Sequence, residues 1–412
     1  MKLGGLVLSV TMLSVTILAG SALAAAVTSA KPTYSKDVAP ILNQRCVGCH
    51  RTGEAAPMPL TSYRDVRPWA KAIREAVLVR RMPVWLADPQ FGKFHNQRRL
   101  DQREIDTIVG WVDAGAPEGD ARQLPPAPAL LDGWNIGKPD LVVDMGTDFD
   151  VPATGVVPYK YFRAPSGFTE DKWVEAAEIR PDKRGVVHHV IVFIQEPGKN
   201  FQGGDGSTLL VGFAPGEQPM QAGSGAAKLV MAGSTFVFQM HYTPNGKPAL
   251  DRSYVGLRFA KEPPKYRAVT GRALNFGFRI PPNEPSYEVR SSWTAKEDVR
   301  IAGFMPHMHL RGKDFKYTAV YPDGREQVVL SVPKYDFNWQ LTYELVEPLE
   351  LPKGSRLDCV AHFDNSPNNK FNPDPTKEVR WGDQTWEEMM IGWFTYLVPA
   401  QPALVAPAEA QQ

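Results

Sequence analysis

Cys46-Val47-Gly48-Cys49-His50 places two thiols one turn apart, with an imidazole directly behind the second. That spacing lets both sulfurs add to the vinyl groups of a single haem while His50 reaches the iron as proximal ligand. Farther along, His188-His189, His241 and His307-Met308-His309 fall into metal-ligand spacings. The chain has eight histidines, so these patterns leave only His95 and His362 without a role. Residues of these types in this arrangement point to redox chemistry.

A bare C-x-x-C-H can also be a redox or zinc pair. Zinc would want two further ligands nearby, and the one local candidate is His95. The surrounding pattern supports haem attachment. Ser35 can cap a helix whose Val38, Ile41 and Leu42 share a face, and that helix runs into Cys46. A second helix is predicted from Arg64 to Arg80. A third starts at Asp101 with Glu104 three residues later, a capping pattern, and carries Ile105, Ile108, Val109 and Val112 on one face before Gly115 ends it. Three helices over residues 32–122 resemble a small class I cytochrome c. Met82, ahead of Pro83 in an extended loop, is the expected sixth ligand of the iron, and Met58 is the alternative. Lys and Arg outnumber Asp and Glu between 51 and 105, which suits either a solvated face or docking to an acidic external electron donor.

The N-terminus supports covalent haem attachment, which takes place outside the bacterial cytoplasm. Lys2, the apolar stretch Leu6 to Ala19 and Ser21-Ala22-Leu23-Ala24 form an export signal over 1–24, with an uncleaved anchor as the competing reading. No later segment could cross a bilayer, so no stable membrane insertion is expected after cleavage. A periplasmic or secreted protein follows. Two of its three cysteines belong to the haem motif, and Cys359 lies in a strand-like run as an inert thiol, so packing and metals must hold the fold. The net charge of +1 supplies no field for nucleic acid.

After a stiff proline-rich linker at 123–135 the pattern changes. Short apolar runs at 140–144, 185–194 and 235–242 are separated by Gly, Pro and Asn turns, the mark of strands. Some 265 residues of this kind suit two sandwiches, expected over 136–264 and 265–400 with a tail at 401–412. On a strand, His307 and His309 project to one face and can reach one ion. His188 and His189 are neighbours, so they could share a metal only at a strand end or a bulge.

The segments Gly185-Val-Val-His-His-Val-Ile-Val-Phe193, Phe238-Gln-Met-His-Tyr242, Pro306-His-Met-His309 and Glu387-Glu-Met-Met390 resemble, in this order, the ascorbate-dependent copper type II monooxygenases. These are the relatives of the peptidylglycine α-hydroxylating and dopamine β-monooxygenases. The resemblance runs from about residue 136 to 399. It implies two tandem jelly-roll-like β-sandwiches with one copper on each and a solvent cleft between them. It assigns His188, His189 and His241 to an electron-transfer copper, and His307, His309 and Met389 to the copper where O2 is activated. Met390 is the rival thioether. A soft thioether beside two imidazoles favours Cu(I), the state that must meet O2.

Two departures stand out. The animal enzymes are rich in disulfides, which this chain cannot form. Where peptide-hydroxylating relatives hold the substrate carboxylate with an arginine, an asparagine and a tyrosine, this chain has Met305, Ile391 and Trp393. An anionic peptide terminus would lose its charge-assisted partners there, so an apolar or neutral small substrate is expected. The resemblance thus implies hydroxylation of a C–H bond with two copper ions and O2. The fused c-type haem would replace or supplement ascorbate as electron source. The alternative is a haem- and copper-binding electron carrier without oxygenase activity.

Overall fold

The computed structural model describes Met1 and residues 31–127, 134–201 and 208–400, without 53, 55, 57, 215 and 224. Apart from Met1, the export segment expected at 1–24 lies outside the described residues, as do the centre of the proline-rich linker and the tail at 401–412. Among the described residues β-strand is the main regular structure, with a few short helices near the start. No helix among the described residues is long and apolar enough to cross a membrane.

Helical stretches at 34–45, 63–78 and Gln102–Asp113 pack around Val38, Leu42, Val66, Ile73, Ile105, Ile108 and Trp111. The third has the expected start: Asp101 accepts from the Glu104 N–H while Glu104 accepts from the Asp101 N–H, both at 2.8 Å. The first does not. Thr33, not Ser35, stands at the cap, and Ser35 is buried at the second helical position, with its hydroxyl donating to Glu118 O at 2.9 Å. The chain returns over this helix at Pro117 and Glu118, and their carbonyls take up the N–H groups of Tyr34 and Ser35. A side-chain cap is therefore unnecessary. The middle stretch tightens to a 3-10 turn at Arg67–Trp69, where Pro68 lacks an N–H, and its α-helix ends at Leu78, just short of Arg80.

The strands form two sandwiches with separate cores. One core packs Val174, Ile179, Val190, Val192, Phe236, Phe238 and Val255. The other packs Phe304, Phe315, Tyr317, Leu357, Phe363 and Phe394, with Cys359 fully buried among them. A four-stranded sheet faces each core. The first runs Lys160–Pro165, Thr235–Tyr242, Val187–Gln195, Leu209–Phe213; the second runs Tyr287–Thr294, Arg356–Phe363, Gly312–Val320, Glu326–Val332. The opposite layer is shared. Ala226–Val230 pairs in parallel with Tyr266–Leu274, which joins both sandwiches into one nine-stranded sheet. A lateral hydrogen-bonded seam therefore fixes one sandwich against the other.

The stretch 84–96, assigned by sequence to the helical unit, adds to the edge of Tyr343–Leu351. His95 N–H donates to Glu344 O and Val346 N–H to Lys93 O, each at 2.9 Å. Trp85 and Phe94 close on Tyr343, with ring centroids 4.9 and 5.6 Å away. On its other side, the loop after His50 meets the first sandwich. Glu54 pairs with its neighbour Arg51 at 3.1 Å and reaches Arg184 at 3.1 Å and Arg180 at 3.6 Å. The helical unit thus touches both sandwiches.

Candidate metal centre

Val187–Gln195 and Thr235–Tyr242 are antiparallel partners with His189 opposite His241. Their register slips between Val187 and His189, so His188 is the extra residue of a β-bulge. The bulge brings two sequence neighbours to one side of the sheet. Nδ1 of His189 lies 3.3 Å from Nδ1 of His188 and 3.3 Å from Nδ1 of His241. The ligand nitrogens of all three lie within 4.8 Å of one another. Two nitrogens held at about 2.0 Å from one tetrahedral ion would sit roughly 3.3 Å apart, so the cluster has the dimensions of a metal site. Tyr159 covers it, with its ring 5.3 Å from His189 and 4.9 Å from His241. Burial lowers all three imidazole pKa values, that of His241 to about 3, and neighbouring imidazoles add to the effect at His189. All three stay neutral at neutral pH, as metal ligands must.

His307 ends the strand Val299–His307, and His309 lies just beyond it, so the pair straddles a strand end instead of sitting on one regular strand. Their ring centroids are 5.2 Å apart with the planes at 90°, while Met308 between them turns into the core. Nδ1 of His307 is 2.6 Å from Gln340 Oε1, and Nδ1 of His309 is 3.2 Å from the Glu387 carbonyl. Both acceptors require Nδ1 to carry the proton, which leaves each Nε2 free for a metal. Burial lowers both values, that of His307 to about 4.

Met389 lines the same cleft as His307, His309 and His189. Met390 does not; its sulfur accepts from Ser291 Oγ at 3.1 Å inside the second core. The geometry therefore separates the two methionines that sequence left as rivals. Glu388, fully buried, binds the Met389 loop to the histidine turn by accepting from the His309 N–H at 2.8 Å and the Arg311 N–H at 2.6 Å. Arg311 is equally buried and donates to Asn365 Oδ1 and Trp386 O, so the network closes on itself.

The two histidine groups are neighbours across the cleft. Phe337 stacks on His188 with centroids 5.3 Å apart and meets His309 edge-on at 5.9 Å. Met305, Ile391 and Trp393 form an apolar wall beside His307 and Met389.

At the C-x-x-C-H motif, Cys46 caps the first helix, and the His50 N–H closes a turn onto Cys46 O at 2.9 Å. Nδ1 of His50 is 3.1 Å from the Met58 carbonyl, which leaves Nε2 free to bind an iron. Met58 therefore contributes its carbonyl on the His50 side. Both thiols are unpaired, and burial pushes that of Cys46 up to about 12. Met82 is half-buried, just beyond the second helical stretch.

His362 lies apart from both clusters, with Nδ1 2.7 Å from Asp314. Gln340, Glu388, Phe337 and Tyr159 were not singled out in the sequence. They lie in no metal-ligand spacing; only the acidic Glu387-Glu388 pair next to Met389 stood near a candidate ligand.

No known family profile matches the chain, and no curated protein does. Among solved structures, PNGF-II is similar over 63% of this chain and 65% of its own, at 8% identity and TM-score 0.30. The chain thus spans just under two thirds of that protein. The major capsid protein P2 of bacteriophage PM2 is similar over 62% of this chain and 98% of its own, at 11% identity and TM-score 0.25. Likenesses this slight carry no functional argument.

Proposed function

We propose that this protein is an exported copper-dependent monooxygenase that hydroxylates a C–H bond of an apolar or neutral small substrate, with electrons arriving through a fused c-type haem. One observation carries the reading. Three imidazoles converge within metal-binding distance, and a second imidazole pair shares a cleft with one of them, His189, and with a thioether. A storage or carrier site has no need of two different donor sets in one cleft.

His188, His189 and His241 would hold an electron-transfer copper, and His307, His309 and Met389 a second one whose soft donor set suits Cu(I). Cys46, Cys49 and His50 would hold the haem, with Met82 as sixth ligand. Copper supplies the redox chemistry by which O2 is activated and one oxygen atom enters a C–H bond. The chain's own residues do the rest. Gln340 and the Glu387 carbonyl fix the tautomers of His307 and His309. Met305, Ile391 and Trp393 present an apolar wall to the substrate and exclude water. Glu54 clamps the haem-motif loop to the sandwich that bears His188 and His189. A donor tethered this way works at high effective concentration. Ascorbate or an external donor protein would recharge the haem.

The test is metal stoichiometry followed by oxygen uptake. Mature protein reconstituted with copper should hold two coppers per haem iron and consume O2 in the presence of neutral substrates. One copper or none, or two coppers with no substrate-dependent uptake, would favour the electron carrier.

A further inference from the structure

The proposed hydroxylation obeys RH + O2 + 2 e⁻ + 2 H⁺ → ROH + H2O. The electrons come from a one-electron donor, reduced haem or ascorbate, and the oxygen atom not inserted leaves as water. Two protons must therefore reach a cleft whose histidines serve as neutral ligands. Among the described residues that line it, Glu217 is the only carboxyl. Glu217 also lines a cavity of about 200 Å³ between the sandwiches and the pocket beside Cys49. It is where the three voids meet.

The larger cavity leads outward along titratable side chains. Glu217 Oε2 accepts from the Thr342 N–H at 3.1 Å. Two residues on, Glu344 lines the same cavity, and its Oε2 is 3.0 Å from Nε2 of His95, whose side chain is 60% exposed. Glu344 itself is mostly covered. The cavity far exceeds the roughly 10–15 Å³ that one water requires, so waters can bridge the carboxyls.

We propose that this cavity is the proton entry to the copper cleft, with His95 as the outer group, Glu344 as the intermediate and Glu217 as the group that delivers into the cleft. The assignment rests on the oxygenase reading. It gives a role to a histidine that the metal patterns leave over.

The electrostatics suit the role. Burial pushes the Glu217 carboxyl up to about 7, opposed by Thr342 and Arg98 and reinforced by Glu344. Burial also raises Glu344, against the pull of His95 and Arg98. Near neutrality Glu217 is thus present both protonated and ionised, as a relay requires. Lys228 also faces the cavity; its amine donates to Leu209 O, Leu210 O and Thr270 Oγ1, and burial lowers its pKa to about 7, so it can also exchange a proton there and E217Q, which leaves it in place, separates the two groups. Tyr343 lies on the same strand as Glu344, with burial holding its phenol protonated.

The experiment uses the full chain loaded with haem and copper. Reduced-minus-oxidised infrared difference spectra should show a carboxylic acid band in the wild type that E217Q lacks. With substrate and O2, E217Q should turn over more slowly by on the order of 100-fold and lose the pH dependence near neutrality. H95Q removes an exposed ring and is the safer variant to fold. It should keep the band, form it more slowly, and recover when imidazole is added. An E217Q protein that keeps the band and the pH profile overturns the proposal, as does an H95Q protein indifferent to imidazole. Metal reduction alone drives the infrared readout, so it decides the proton path even if no substrate is oxidised. Failure of the oxygenase reading appears separately, as absent oxygen uptake.

Discussion

At the scale of single residues, the candidate centre depends on groups that hold ligands as much as on the ligands. Gln340 is bonded to His307 at 2.6 Å and fixes which nitrogen faces the cleft. Replacing it with leucine should weaken copper binding at the His307/His309 site by about 10–100-fold. A competition titration that resolves the two coppers checks this, and the other site should be unaffected. The methionines should behave oppositely. Met389→Leu should abolish oxygen uptake while the His188/His189/His241 copper remains. Met390→Leu, a volume-conserving change in the second core, should cost less than about 1.5 kcal/mol and leave activity intact. Oxygen electrode and denaturation measurements on both variants would expose a reversed assignment.

At the scale of elements, the centre is assembled where regular pairing breaks. The bulge at His188 places its imidazole with those of His189 and His241. Deleting Val187 should draw the strand back into register and move one histidine to the opposite face. The expected result is loss of one copper per chain, read by elemental analysis, with the β circular dichroism signal retained. The second site depends on the loop that carries Met389, tied down by Glu388. Glu388→Ala would remove the acceptor of the buried His309 and Arg311 N–H groups. Each buried donor left unpaired costs about 1–3 kcal/mol, so denaturant unfolding should show a loss of stability of that order.

At the scale of the whole molecule, the helical unit is held on two sides. Residues 84–96 pair with the edge of one sandwich, and Glu54 reaches arginines of the other. Cutting the chain between 124 and 133 should therefore leave the two pieces associated on gel filtration. Phe94→Ala combined with Glu54→Ala should release them. Pieces that separate without those changes would show the docking to be too weak to bring a haem beside the copper cleft.

How much of this was legible in the chain differs from element to element. The third helix was readable to the residue, because a capping box and a terminating glycine are local devices. The histidine-bearing strands at 185–194 and 235–242 were readable because short apolar runs bounded by Gly, Pro and Asn turns span only a few positions. Residue spacing by itself determined that His188 and His189 could share an ion only at a strand end or a bulge, and that His307 and His309 could share one from a single strand face. It could not place Ser35 inside the helix, since the carbonyl that receives its hydroxyl comes from Glu118, 83 residues away. Nor could it separate Met389 from Met390, find Phe337 between the histidine groups, or join His95 to Glu344. Those relations depend on which side chains approach across sheets and between units. Contacts between residues far apart in the chain leave no periodic trace in it, so only the tertiary structure decided them.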